Sequence, residues 1–214
     1  MAADGGLGGS VSAPEDIAAD AEVAAEDVLR ANAYALLARL LRAQPDDETL
    51  AGLTELHSDD TEMGRAFAAL ADAAREAAPE SLAEEFHDLF VGIGESELKP
   101  YASYYLTGFL YEKPLANLRV AMADLGIGAV EGVSEPEDHI AALCETMCAM
   151  IMGAFGKPVA LATQRKFFDD HIEPWAERFF EDLEAAESAN FYKPVGTIGR
   201  CFMRIEMQSF EMVA

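Results

Sequence analysis

The chain has 214 residues, 51% of them apolar, with a formal net charge of −24 from 39 acidic and 15 basic side chains. That size and apolar fraction exclude wholesale disorder and allow one well-filled core, while the negative field disfavours nucleic acid and anionic membrane and favours basic partners. No apolar run approaches the ~20 residues that span a bilayer, and residues 1–10 lack the basic and apolar regions of a secretory signal. Three cysteines, Cys144, Cys148 and Cys201, are then expected to be reduced thiols of a cytoplasmic protein.

Residues 1–11 are rich in Gly, Ala and Ser and read as a flexible lead-in. Ser12-Ala-Pro-Glu15 has the S-x-x-E spacing of a helix start. Leu29, Ala33, Leu36, Leu37, Leu40 and Leu41 then recur at helical spacing, and Pro45 closes that segment. Asp46 or Asp47 can cap a short helix with Leu50, Leu53 and Leu56 on one side, and Asp59 or Asp60 the next, striped by Met63, Phe67 and Leu70. Pro79 and Ser81 open another helix, carrying Leu82, Phe86, Leu89 and Phe90 and stopping at Gly92-Ile-Gly94.

Residues 92–113 hold Lys99-Pro100 and the aromatic cluster Tyr101, Tyr104, Tyr105, Phe109 and Tyr111. A helix from Pro114 to Leu125 follows, and the glycine-rich stretch 126–133 reads as a hinge loop between an N-terminal helical part (12–125) and a C-terminal one (134–214) of one compact unit. Ser134 and Glu137 have capping-box spacing with Pro136 in the first turn, so a helix is expected over about 134–155, buried through Ile140, Leu143, Met147, Ile151 and Phe155. Helices near 158–172, from Pro174, and over 191–211 complete the chain. No segment alternates with period two, so the fold class is all-α, a helical bundle of about nine to ten helices.

Capping leaves Glu135, Asp138 and His139 unexplained. They lie in the longest stretch without a cation: no Lys or Arg occurs between Arg119 and Lys157. His139, Cys144 and Cys148 do not assemble a zinc ligand set on one helix, and core packing accounts for the two thiols. Asp138 and His139 point about a hundred degrees apart on a helix, and no nucleophile elbow or phosphate loop accompanies them. Neither catalytic residues, a metal nor a cofactor is therefore expected. A peptide-binding surface fits better: Tyr101, Ser103 and Tyr105 supply amphipathic contact area, and acids at 135–138 suit arginines. A helical scaffold or regulatory protein, or a metal-dependent enzyme, are the alternatives.

Four segments in order resemble the TorD/DmsD/NarJ family of redox-enzyme maturation chaperones, most closely its TorD branch. Glu135-Pro136-Glu137-Asp138-His139-Ile140 is similar to the E-P-x-D-H-[IL] signature, and Glu85-Phe86-His87-Asp88-Leu89-Phe90-Val91-Gly92 to E-[YF]-x-x-L-F-x-G. Pro100-Tyr101-Ala102-Ser103-Tyr104-Tyr105 resembles P-x-x-S-x-Y, and His171-Ile172-Glu173-Pro174-Trp175 with Phe191-Tyr192 resembles the C-terminal pattern. Gly92-Ile-Gly94 departs from the usual Gly-Pro-Gly-like turn, and the acidic extension before residue 28 lies outside the pattern. The resemblance implies a non-catalytic, all-helical cytoplasmic chaperone. Such a protein binds the apo catalytic subunit of a molybdopterin oxidoreductase at its twin-arginine signal peptide, and holds it for cofactor insertion and export. It places Glu135, Pro136, Asp138, His139, Tyr101, Ser103 and Tyr105 at the peptide-binding region. A monomer or a domain-swapped dimer fits a hinge at 126–133.

Overall fold

The computed structural model describes residues 23–92, 96–128 and 135–212. The lead-in 1–11, the helix start at Ser12, the Gly92-Ile-Gly94 turn beyond Gly92, most of the hinge and the Ser134 cap lie outside the described residues. Among those described there are ten α-helices and one π-helical turn, with no strand longer than a single bridge. The expected all-α class is what the chain adopts.

The N-terminal helices are α1 (Ala25–Arg42), α2 (Asp47–Leu53), α3 (Glu62–Glu76) and α4 (Pro79–Phe86). Asp46 caps α2 by accepting the Thr49 N–H, as its position foretells. The cap of α3 is Thr61, whose hydroxyl accepts from Gly64 N–H. Asp59, expected to cap that helix, instead accepts the Thr61 N–H at 2.9 Å and its hydroxyl. An acid two positions early can serve the cap residue but cannot reach the first turn. Pro79 takes the first helical position of α4, where its missing donor costs nothing. That helix widens into the π turn His87–Val91, ended by Gly92 at φ +62°.

Then come α5 (Ala102–Thr107), α6 (Lys113–Asp124), α7 (Ile140–Met152), α8 (Leu161–His171), α9 (Ala176–Ala185) and α10 (Tyr192–Met212). The principal packings are α1 on α7 and α10 on both α9 and α3, so N-terminal and C-terminal helices share one core. Tyr34, Leu37 and Leu41 of α1 meet a core with Ile140, Leu143, Cys144 and Met147 of α7 and Phe179, Phe180 and Phe202 further on. The helices α9 and α10 approach closely because Gly196 faces the α9 backbone. A Cβ there would lie 2.6 Å from Glu184 N and 2.9 Å from Phe180 O.

One polar cluster crosses the core. Glu206 of α10, fully buried, accepts from Arg30 Nε and Nη2 at 2.8 Å each and from the Tyr34 hydroxyl at 3.0 Å. Arg30 also reaches Asp27 and Gln164 and stacks over Phe210. The bidentate pair satisfies both charges, which burial alone would make prohibitive. It ties α1 to α8 and α10.

The segment Glu85–Phe90 acts as an anchor. The Glu85 carboxylate accepts the N–H groups of Asn190, Phe191 and Tyr192 at 2.8–3.1 Å, filling the donor end of α10. Phe86 and Phe90 pack on the Tyr192 ring, whose hydroxyl donates to Leu40 O at 3.1 Å.

Candidate functional site

Helix α7 starts at Ile140, six residues later than the capping-box spacing suggests. Glu135 to His139 form a turn, with His139 N–H donating to Pro136 O at 3.1 Å. Local capping loses here to tertiary pairing. His139 is extended and forms an antiparallel bridge with Tyr101. Ala102 N–H donates to Asp138 O at 3.0 Å, and Ile140 N–H to Pro100 O at 2.9 Å. The two segments that carry the sequence signatures, some 35 residues apart, are thereby stitched together at one crossing.

Side chains reinforce the crossing. The Asp138 carboxylate accepts the Ser103 N–H at 2.8 Å and the Ser103 hydroxyl, so it caps α5 from a distant segment. The next residue, His139, caps its own helix, its Nδ1 accepting the Ala141 N–H at 3.1 Å. The Tyr101 ring meets the imidazole edge-on at 5.1 Å, and the Tyr101 hydroxyl donates to Glu135. Burial, and secondarily the positive charge of Arg42, lowers the His139 pKa to about 3. An unprotonated Nδ1 is what the cap requires. Burial and the Glu135 carboxylate push the Tyr101 phenol up, so it stays a donor.

These contacts sort the seven residues expected at a binding surface. Ser103, Pro136, Asp138 and His139 are buried, and the polar ones are already engaged with one another or with helix termini. Asp138 is 1% exposed, and its carboxylate is engaged by Ser103. Tyr105 is half-buried, donates to Asp182 at 2.9 Å and packs against Trp175. Glu135 and Tyr101 keep partial access to solvent.

Beside the crossing, between the end of α6 and the outer face of α7, runs a groove of about 510 Å³. Met122, Ile127, Ala142, Ala149 and Phe155 form its apolar wall, and Glu135, Glu137 and Glu145 stand along it. Among the described residues each carboxylate has one side-chain partner: Glu135 the Tyr101 hydroxyl, Glu137 the Arg119 guanidinium at 2.8 Å, Glu145 the Arg42 guanidinium at 2.6 Å. Burial opposes ionisation of Glu137, but Arg119 outweighs it and holds the carboxyl below its usual range. A carboxylate has about four lone-pair positions, so each retains capacity for a further donor. Such a groove can take an apolar side-chain run preceded by cations.

Glu137 lies among the acids at 135–138 expected to suit arginines, whereas Glu145 lies outside them. Capping-box spacing accounts for Glu137 locally, and no local pattern singles out Glu145. The signal was present in the cation-free stretch, which holds both. Cys144 is wholly buried among the core side chains of α7, and burial pushes its thiol up. Among the described residues, no three His, Cys, Asp or Glu side chains gather as a metal site, and no helix is long and apolar enough to cross a membrane.

Comparison with known proteins matches this arrangement to others. The family model described as nitrate reductase delta subunit matches residues 56–181, more than half of the chain. A chaperone protein TorD of Vibrio parahaemolyticus is 28% identical over 133 residues, which is 58% of this chain and 62% of that one. A TorD of Photobacterium profundum is 31% identical over 126 residues, 55% of this chain and 58% of the relative. A Haemophilus influenzae protein named as a Tat proofreading chaperone, DmsD, is 29% identical over 121 residues, 56% and 57% of the two chains. The matched regions thus span about three fifths of these curated relatives. Among solved structures, a protein of Archaeoglobus fulgidus titled as a redox enzyme maturation protein shares the fold with a TM-score of 0.54 at 22% identity, over 82% of this chain and 94% of that one. With the crossed signature segments and the all-helical fold, the match places this chain in the nitrate reductase delta subunit family, the family that includes TorD and DmsD.

Proposed function

We propose that this protein is a non-catalytic maturation chaperone of a redox enzyme. In this reading it binds the apo catalytic subunit of a molybdopterin oxidoreductase through its twin-arginine signal peptide. It holds that subunit in the cytoplasm until the cofactor is inserted and export can proceed. Family membership and the names of the relatives support the chaperone part. The peptide part rests on one observation: an apolar groove with three carboxylates along it, in the longest stretch of chain that has no cation.

The geometry supports a specific division of labour. Glu135, Glu137 and Glu145 meet the arginines through charge-assisted, bidentate hydrogen bonds. Met122, Ile127 and Phe155 take the apolar continuation. Tyr101 orients Glu135 through its hydroxyl, and Asp138, Ser103 and His139 hold the crossing that presents these groups. Pro136 shapes the turn, and Tyr105 braces α5 against α9.

Fluorescence anisotropy tests this with a labelled peptide of two adjacent arginines followed by about a dozen apolar residues. Wild type binds it, and binds a twin-alanine counterpart at least about tenfold more weakly, since two charged pairs are lost. Glu135→Gln, Glu137→Gln and Glu145→Gln each weaken binding severalfold, whereas Asp138→Asn does not. Equal affinity for the arginine and alanine peptides overturns the reading.

A further inference from the structure

A second groove, of about 690 Å³, lies between the C-terminal end of α1 and the C-terminal half of α7. Its wall is mostly apolar, with Ala35, Ala38, Pro45, Ala149 and Met152, and turns polar at Gln44, Asp46 and Thr49. Its cation Arg39 is engaged by Thr49 at 2.6 Å and Asp46 at 3.3 Å, so the second groove presents no free charge of its own from that side chain. Arg42, Glu145 and Ala149 line both this groove and the one beside the crossing. The Arg42–Glu145 pair is therefore the divider between two apolar compartments.

The pair has the geometry that an incoming arginine would adopt. Arg42 Nε donates to Glu145 Oε1 at 3.1 Å and Nη2 to Oε2 at 2.6 Å, a two-pronged guanidinium–carboxylate contact. Both side chains are open to solvent, at 32% and 51% exposure. A pair so exposed is held weakly, and another guanidinium can replace Arg42 at little cost. Releasing Arg42 joins the two compartments. From Glu145 to Met152 the α7 axis advances by about 10 Å, the reach of about three residues of extended peptide.

We propose that Arg42 is a built-in competitor for the Glu145 subsite. A client arginine takes Glu145, Arg42 swings aside, and the apolar residues that follow that arginine pass over Ala149 into the second groove towards Met152. The occupant is the same basic-then-apolar segment invoked above, so the inference rests on that reading, and it adds a longer footprint and an internal gate. Charge complementarity selects this occupant: the divider carries the one carboxylate common to both grooves, and the second groove beyond it is apolar along α7, at Cys148, Ala149 and Met152.

The test is a double-mutant cycle with the twin-arginine peptide. Arg42→Ala binds it about three- to fivefold more tightly than wild type, the scale expected for removing an exposed competing pair. The gain disappears in a Glu145→Gln background, because the competition is for that carboxylate. Arg39→Ala makes the same change in net charge without touching Glu145, and measures the general electrostatic contribution. A gain for Arg42→Ala no larger than for Arg39→Ala, or one that persists with Glu145→Gln, overturns the gate and leaves the peptide reading standing. Failure of wild type to distinguish the arginine from the alanine peptide overturns both.

Discussion

Asp138 and His139 are neighbours in the chain and cap different helices. The Asp138 carboxylate holds the Ser103 N–H and hydroxyl at the start of α5, while His139 Nδ1 holds the Ala141 N–H at the start of α7. One dipeptide thereby sets the entry of two helices and the crossing of residues 100–102 with 138–140. Both side chains hold helix termini, and Glu135 and Glu137 beside them line the groove.

The first consequence concerns pH. His139 has an ordinary pKa of 6.5, lowered by burial to about 3 in the folded chain. The unfolded chain takes up this proton below about pH 6.5 and the folded chain does not, so the contribution to stability is intact above 6.5 and is lost as pH falls towards 3. Between pH 7 and pH 5 the loss from this residue alone is about 2 kcal/mol. Urea unfolding at the two pH values checks it: His139→Asn, which keeps a capping side chain, loses less stability than wild type by about that amount.

Removing the other cap acts through the fold. Asp138→Ala leaves the Ser103 N–H and hydroxyl buried without an acceptor and costs about 3 kcal/mol. Asp138→Asn keeps one acceptor oxygen for the amide and costs less, about 1 kcal/mol. Denaturant midpoints give the two values, and the order Ala below Asn below wild type is the expected result.

The polar cluster across the core is the most sensitive point away from the groove. Glu206→Ala leaves the Arg30 guanidinium, which is only 17% exposed, with Asp27 as its one carboxylate partner among the described residues and takes the acceptor from Tyr34. The expected loss is about 3–5 kcal/mol. Calorimetry measures it. A loss under about 1 kcal/mol would mean that Arg30 turns out to solvent at little cost, and that the cluster does not hold α1 to α10.

Helix contact makes a fourth prediction. Gly196→Ala adds a methyl group where backbone atoms of α9 lie 2.6 and 2.9 Å away. Alanine favours a helix over glycine by about 1 kcal/mol, but the clash with α9 exceeds that, and a net loss of about 1–2 kcal/mol in thermal unfolding is expected. An increase in Tm at this position would show that α9 and α10 separate freely.

Much of the architecture was legible in the chain. Apolar spacing of 3 and 4 marked the packed faces of α1 and α7 except at Leu29 and Phe155, which stand exposed, Pro79 and Asp46 marked helix starts, and Gly126 marked the end of α6, where it stands at φ +73°. These are local signals, each settled within one or two turns of backbone. The start of α7 was misplaced because a capping box between Ser134 and Glu137 is also a local signal, and here pairing of His139 with Tyr101 overrides it. The site was legible as a region and less so as residues. The acidic, cation-free stretch and the tyrosine segment were both visible, but not which of their polar groups were already used.

By itself the sequence determined the helical class, the approximate bounds of most helices, the acidity of one stretch and the family signatures. Only the tertiary structure decided that Asp138, Ser103 and His139 turn inward while Glu135, Glu137 and Glu145 line a groove. The physical reason is the range of the interaction. Helical periodicity is written in neighbouring residues, whereas the partner of a carboxylate, buried or exposed, arrives from elsewhere: Ser103 lies 35 residues from Asp138, and Arg42 lies 103 residues from Glu145.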